Sequence, residues 1–178
     1  MNADTALLVI DVQVGMFPET DPVYAGEVLL ERIRGLIAKA RACAVPIIYV
    51  QHNEDVGEPL ESNSPAWNIH PMIAPHVEDT IIQKYTPDSF HETNLQHELA
   101  GKGIKKLVLT GIQTDLCVNA TCRRACTLGY EVIVAKDAHS TWSQGNLSAV
   151  EIINQYNDLF GTFAKTEESA NIEFCTRS

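Results

Sequence analysis

The segment Lys106-Leu-Val-Leu-Thr-Gly-Ile-Gln-Thr-Asp-Leu-Cys117 decides how the rest of the chain is read. From Lys106 to Ile112 it is a nearly continuous apolar run, the pattern of a strand covered on both faces. Helical spacing then takes over from Thr114 to Leu128, and Gly129 supplies the stop that helices commonly use at C′. Working outward, Ala6 to Asp11 is a short apolar strand ending in an acid, and Val28 to Cys43 places Leu29, Ile33, Leu36, Ile37 and Ala40 on one helical face. Pro46 to Gln51, Thr80 to Lys84, Glu131 to Ala135 and Leu159 to Ala164 complete six expected strands, with further helices over Phe90 to Gly101 and Leu147 to Tyr156. Strands that alternate with helices predict a three-layer α/β/α domain around a mainly parallel six-stranded sheet. Residues 53–78 carry Gly57, Pro59, Pro65, Pro71 and Pro75, and fit a structured excursion better than a regular element.

With 178 residues, 45% hydrophobic and 20% charged, the chain fits one domain spanning its whole length. Such a domain buries roughly 70% of its unfolded surface and needs no staple to hold its core. Thirteen basic against 23 acidic side chains give a formal charge of −10, which disfavours nucleic acid and anionic membrane surfaces as partners. No run approaches the ~18 apolar residues of a membrane span. The opening residues have no basic region, and Ala6 to Ile10 is too short for a signal core, so a cytoplasmic location is expected. The cysteines, Cys43, Cys117, Cys122, Cys126 and Cys175, form an odd set without a CxxC pair. Neither a disulfide framework nor a zinc knuckle is expected. The question is whether one of them is a nucleophile.

In a parallel sheet, chemistry gathers at the carboxyl ends of the strands. Those ends present Asp11, Lys84, the turn that carries Cys117, and Asp137. Cys117 falls in the first turn of its helix, with Thr114 or Asp115 available as cap. Free N–H groups and the helix dipole there favour a thiolate that can attack a carbonyl. The plainer alternative is a buried structural cysteine. Asp11 either faces the crevice or pairs with a base, and a lone lysine such as Lys84 is ordinarily a surface charge. The first strand is not followed by a GxGxxG loop, which disfavours a dinucleotide cofactor.

Leu8-Val-Ile-Asp11-Val-Gln13, Lys84 with Ser89-Phe90, Gly111-Ile-Gln-Thr-Asp-Leu-Cys117-Val-Asn-Ala-Thr121, Gly129-Tyr-Glu-Val and Asp137-Ala-His-Ser-Thr141 occur in this order. Together they resemble, over nearly the whole chain, the isochorismatase-like cysteine hydrolases, which include nicotinamidases, N-carbamoylsarcosine amidohydrolases and isochorismatases. The resemblance implies a Rossmann-like sheet and a catalytic triad of Asp11, Lys84 and Cys117. It also implies a cis peptide bond at Ile112-Gln113, oxyanion donors at the backbone N–H groups of Gln113 and Cys117, and assembly as a homodimer or homotetramer. Nicotinamidases hold a metal with an Asp-x-His pair after the second strand. Here that place reads Tyr49-Val-Gln51-His52-Asn53, so neither a metal nor any other cofactor is expected. His52, His70 and His76 are read as hydrogen-bonded or surface side chains, and His139 as more structural than chemical.

Gln13, Phe17, Trp67 and Phe90 are the expected substrate contacts; Trp67 either lines an apolar pocket with Phe17 and Phe90 or anchors its loop. Cys122 and Cys126 are expected to pack the inner side of their helix, with Arg123 and Arg124 facing solvent or a partner subunit. The expected activity is hydrolysis of a small molecule at an amide, ureido or related C–N bond through a Cys117 acyl-enzyme. The alternatives are vinyl ether hydrolysis, non-catalytic small-molecule binding and thiol redox sensing.

Overall fold

The computed structural model describes residues 4–175. Six strands, β1 (Thr5–Ile10), β2 (Ile47–His52), β3 (Thr80–Lys84), β4 (Lys106–Ile112), β5 (Glu131–Ser140) and β6 (Lys165–Glu167), form one sheet in the order β3-β2-β1-β4-β5-β6. Every pairing between neighbours is parallel. The strand order reverses between β1 and β4, so the chain leaves these two strands in opposite directions and opens a crevice beyond their carboxyl ends.

Helix α1 (Gly26–Ala42) covers one face, burying Leu29, Leu30, Ile33, Leu36, Ile37 and Ala40 against Leu7, Val9, Tyr49 and Val108. The other face packs Leu8, Ile10, Ile48, Val50, Leu107 and Leu109 beneath α2 (Leu95–Gly101), α3 (Asn119–Thr127) and α4 (Ala149–Phe160). Two faces covered by helices explain why β1 is buried along its whole length. Among the described residues no helix is long and apolar enough to cross a membrane.

Two expected strands move, while the helix expected from Phe90 begins at Leu95. The sixth strand lies at Lys165–Glu167 instead of Leu159 to Ala164, because α4 continues to Phe160 and buries that ring. Ser148 and Glu151 form a reciprocal capping box that fixes where α4 starts, and twelve residues from there reach Phe160. The apolar run at residues 159–164 thus serves a helix end and its turn; β6 itself is polar and partly exposed at the sheet edge. The other change is β5, which runs on to Ser140 after a register shift opposite Leu109 and Gly111, so Asp137 lies within the strand. Its carboxylate accepts from the backbone N–H and hydroxyl of Ser169 at 2.7 and 2.8 Å and pairs with Arg32 at 3.3 Å. Asp137 therefore fastens the C-terminal segment to the sheet and supplies no chemistry at the crevice.

That segment overturns the expectation about the cysteines. Cys43, just past α1, and Cys175 form a disulfide with Cα atoms 5.6 Å apart, at a sequence separation of 132. They meet because Ile172 and Phe174 join the core beneath α1, while Lys39 Nζ donates to the carbonyls of Ser169, Ala170 and Ile172 at 3.1, 2.7 and 3.1 Å. Sequence spacing cannot show such a meeting. Persistent disulfides belong to oxidising surroundings, so the cysteine pattern does not support the expected cytoplasmic location.

Removing the cross-link by Cys43→Ser is expected to lower unfolding stability by about 2–4 kcal/mol in denaturant titration. The wild type in excess reductant should match the variant; a wild-type curve indifferent to reductant would show that the cross-link contributes nothing.

Candidate active site

Three strand ends build the site. Beyond β1, Asp11 takes a left-handed backbone with φ 53°, while its N–H still donates to Val50 O at 2.9 Å. A non-glycine residue held in this region costs of order 1–3 kcal/mol, and this one turns the chain away from the sheet with its carboxylate at the crevice. Opposite Ile10 in register stands Gly111, with φ 134°, where any Cβ would be driven into the Ile10 carbonyl. Only glycine lets β4 close on β1 at this level. The Ile112-Gln113 peptide that follows is cis.

Thr114–Val118 then form a wide turn of π-helical geometry in which Val118 N–H donates to Gln113 O at 3.0 Å, and this turn carries Cys117. Neither Thr114 nor Asp115 caps it, contrary to expectation. Thr114 Oγ1 instead bonds His139 Nδ1 at 2.8 Å, and the Asp115 carboxylate accepts from Thr141 Oγ1 and Gln144 Nε2, both at 2.6 Å. These bonds anchor the turn to β5 and the loop after it. His139 is buried and its Nε2 lies 2.9 Å from Asn157 Oδ1 on α4, so it ties the turn to two elements.

Lys84, the last residue of β3, crosses beneath β2 to meet the other two groups. Its Nζ donates to Asp11 Oδ2 at 2.8 Å and to Cys117 Sγ at 3.3 Å, and lies 3.1 Å from His52 Nδ1. Lys84 and Asp11 are each only 1% exposed. Burial works against the ammonium, yet Asp11 and Cys117 outweigh it and hold the lysine above its ordinary range. Burial and then the Asp11 charge push the Cys117 thiol well up, and Lys84 opposes them in part. Asp11 Oδ1 is buried without a hydrogen-bond partner in the described structure, which leaves a carboxylate lone pair free beside it.

Behind this cluster lies a second layer of hydrogen bonds. Gln13, fully buried, accepts from His52 N–H at 2.9 Å through Oε1 and donates through Nε2 to His52 O at 3.0 Å and Trp67 O at 2.8 Å. Both amide hydrogens are engaged, so Gln13 clamps the end of β2 and has no N–H to offer a substrate. Trp67 donates Nε1–H to Asn53 Oδ1 at 2.9 Å and lines an open cleft of about 840 Å³ with Gln51, Ile69, Pro75, Ile81 and Gln83. Phe17 and Phe90 are not part of that cleft. Phe17 stacks edge-on with His70 at 4.8 Å, and Phe90 is buried in the core against Tyr130 at 5.9 Å. The four expected substrate contacts are thus not brought together.

Arg123 and Arg124 reach the surface, Arg123 over the Phe163 ring at 4.9 Å and Arg124 3.8 Å from Asp88. Cys122 is buried on the inner side of α3, and half-buried Cys126 donates to Phe163 O.

Where the resemblance places the Asp-x-His pair of metal-binding nicotinamidases, this chain carries Gln51-His52-Asn53. Asn53 Oδ1 already accepts from Ser62 Oγ at 2.8 Å and from Trp67, Gln51 Nε2 donates to Trp67 O at 3.0 Å, and the His52 Nδ1 lone pair faces an ammonium. Hard and borderline cations need converging free oxygen or nitrogen donors. The residues present do not fit one, and the described residues hold no cluster of three or more His, Cys, Asp or Glu side chains suited to a metal.

Fold and site define an α/β domain with a thiol, a carboxylate and an ammonium gathered at its topological switch point. Residues 5–168 match the model of the Isochorismatase domain, and the chain belongs to that family. It is 32% identical over 77% of its length to a streptothricin hydrolase of Streptomyces noursei, of whose own length that match spans 50%. The chain thus spans about half the length of that relative. The secreted isochorismatase effector Isc1 of Verticillium dahliae is 31% identical, with 93% of this chain and 90% of the relative covered. Among solved structures, a putative isochorismatase hydrolase from Oleispira antarctica superposes with a TM-score of 0.89 at 29% identity and 96% coverage of both chains.

Two outcomes follow from the charges. Because Asp11 raises the thiol and Lys84 lowers it, the pH midpoint for alkylation of Cys117 by iodoacetamide should fall in Asp11→Asn and rise in Lys84→Met. Equal midpoints in all three proteins would contradict the geometry. Burial lowers His139 to about 4 from an ordinary 6.5, so the unfolded chain takes up its proton first as the pH falls. Its contribution to stability is complete above pH 6.5 and is lost between there and about pH 4. Unfolding free energies at pH 7 and pH 4.5 should accordingly differ by about 2 kcal/mol less in His139→Asn than in the wild type.

Proposed function

We propose that the chain is a hydrolase of a small acyl compound, with Cys117 as nucleophile, Asp11 as general acid-base and Lys84 as the charge that serves both. The observation that carries this reading is the Asp11 carboxylate, with Oδ2 fixed by Lys84 and Oδ1 buried and unpartnered, in a cluster whose ammonium also touches the thiol. The Cys117 proton passes to Asp11 Oδ1 as Sγ attacks the carbonyl carbon, and the N–H groups of Gln113 and Cys117 receive the oxyanion. The C–N bond breaks, the leaving nitrogen takes the proton back from Asp11, and a thioester remains. Water then gives its proton to Asp11 and its oxygen to the acyl carbon. The C–S bond breaks and the departing sulfur recovers the proton, releasing a carboxylic acid.

An amide, ureido or related C–N bond is the preferred target. A poor nitrogen leaving group needs the protonation that Asp11 can supply, and a half-buried thiol that a substrate can reach suits transient acylation. The hydrolase name of the Streptomyces noursei relative supports the general class. Screening a library of small amides and ureides should find a substrate, with kcat reduced at least about 10³-fold in Cys117→Ala and unaffected by EDTA. Intact-protein mass spectrometry should show an acyl adduct on Cys117. Activity surviving in Cys117→Ala, or an oxidant-dependent disulfide at Cys117 with no turnover of any substrate, would overturn the mechanism.

A further inference from the structure

An ammonium has three hydrogens and no means of burying one unpaired without cost. In this site the Lys84 ammonium has three neighbours: Asp11 Oδ2 at 2.8 Å, Cys117 Sγ at 3.3 Å and His52 Nδ1 at 3.1 Å. Two of the three belong to the proposed chemistry. His52 has no part in it.

The geometry points to His52 as a positioning residue that accepts the third Lys84 hydrogen through Nδ1 and so aims the ammonium between Asp11 and Cys117. This inference rests on the proposed hydrolytic reading of the same site. The contact is built in. His52 and Lys84 are paired in register on adjacent parallel strands, which sets their side chains on the same face. The peptide groups on either side of the His52 Cα are gripped by one buried amide, since Gln13 bonds both its N–H and its carbonyl. Asn53, immediately after, donates Nδ2–H to Lys84 O at 3.3 Å, and its own N–H donates to the same carbonyl at 2.8 Å. The β2 and β3 ends are thereby locked at the level of the ring.

An ammonium cannot accept, so the ring nitrogen facing it must, and the proton of neutral His52 sits on Nε2. The surrounding charges agree. Burial first, and then Lys84, hold His52 below its ordinary range, while Asp11 and Glu54 act weakly in the other direction. The imidazole stays neutral, and its lone pair remains available to the lysine.

The mechanical consequence concerns direction more than charge. Without the third acceptor the ammonium can relax onto Asp11 alone and withdraw from sulfur. Sulfur then loses the nearby positive charge that favours the thiolate.

His52→Leu removes the acceptor, whereas His52→Asn offers an amide oxygen at nearly the same place as Nδ1. Misplacement of a reacting group by about 1 Å is enough for losses on the order of 10²-fold. The leucine variant should therefore lose about 10–100-fold in kcat with little change in KM, and the asparagine variant should recover most of it. In parallel, the pH midpoint for iodoacetamide alkylation of Cys117 should rise in His52→Leu and return toward the wild type in His52→Asn, with thermal unfolding recorded to confirm that both fold. The ring ¹⁵N shifts of His52 should report a protonated Nε2 and an unprotonated Nδ1 from pH 6 to 8.

Alkylation reads the thiol without any substrate. If no amide or ureide is ever turned over, the hydrolytic reading fails while the positioning of Lys84 is still tested. A folded His52→Leu with an unshifted alkylation midpoint, an asparagine variant no better than leucine, or a ring protonated on Nδ1 would each overturn the inference.

Discussion

The buried ammonium of Lys84 is the constraint around which the site is arranged. Removing a charge from water costs several kcal/mol unless partners replace the lost hydration, and removal of one partner from a buried pair typically costs 3–5 kcal/mol. The protein meets this demand with a carboxylate, a sulfur and a ring nitrogen drawn from the ends of β1, β2 and the turn after β4. Those ends must come together to within fractions of an ångström. The left-handed backbone at Asp11, the glycine opposite Ile10 and the two hydrogen bonds between Gln13 and the His52 backbone all serve this convergence.

In the proposed mechanism the same arrangement lets a thiol held well above its ordinary range act as the nucleophile. In that mechanism the site passes from a carboxylate, an ammonium and a neutral thiol to a carboxylic acid, an ammonium and a thiolate. Its net charge is the same in both states, and only the position of the negative charge changes. Lys84 already lies within hydrogen-bonding distance of both positions. Little reorganisation is needed, which is the condition under which electrostatic stabilisation acts most strongly in a low-dielectric site. The formal charge of −10 for the whole chain has no bearing on this local balance.

Much of the frame was legible in the sequence because it is written in local patterns. Apolar runs gave β3 and β4 their observed bounds, Thr80–Lys84 and Lys106–Ile112, and alternation with helices gave the parallel sheet. Asp11, Lys84 and Cys117 stood out because each ends a strand or opens the next turn. What stayed hidden depends on meetings across the sheet. The pairing of His52 with Lys84 follows from strand register, which no local pattern encodes. The double engagement of Gln13 and the Cys43–Cys175 cross-link likewise follow from packing between distant segments. The sixth strand was misplaced for a related reason: Phe160 and Phe163 are as apolar as strand residues, and the cap at Ser148 is what shows that one ends a helix and the other lies in the turn after it. Phe17 and Phe90 show the limit for substrate contacts, since aromatic residues fit a core as well as a pocket.

The second layer of the site bears on the absence of the Asp-x-His pair that the resemblance to nicotinamidases would lead one to expect. A divalent cation and an ammonium make opposite demands on their surroundings only in part, because both need lone pairs aimed at them. They differ in number and charge: the metal calls for several converging donors, preferably anionic, whereas one ammonium is satisfied by three acceptors of mixed character. Gln51, His52 and Asn53 supply neutral groups, and those groups are spent on Trp67, Ser62 and Lys84. Introducing a carboxylate at position 51 would therefore leave it facing a backbone carbonyl that Gln51 now hydrogen-bonds, with the ring of His52 still turned to the lysine. Building a metal site there would require Asn53 to give up its contacts with Trp67 and Ser62. The excursion at residues 53–78 is thus coupled to the ammonium through two adjacent residues of one strand end, and changes in that loop are expected to be felt at the reacting sulfur.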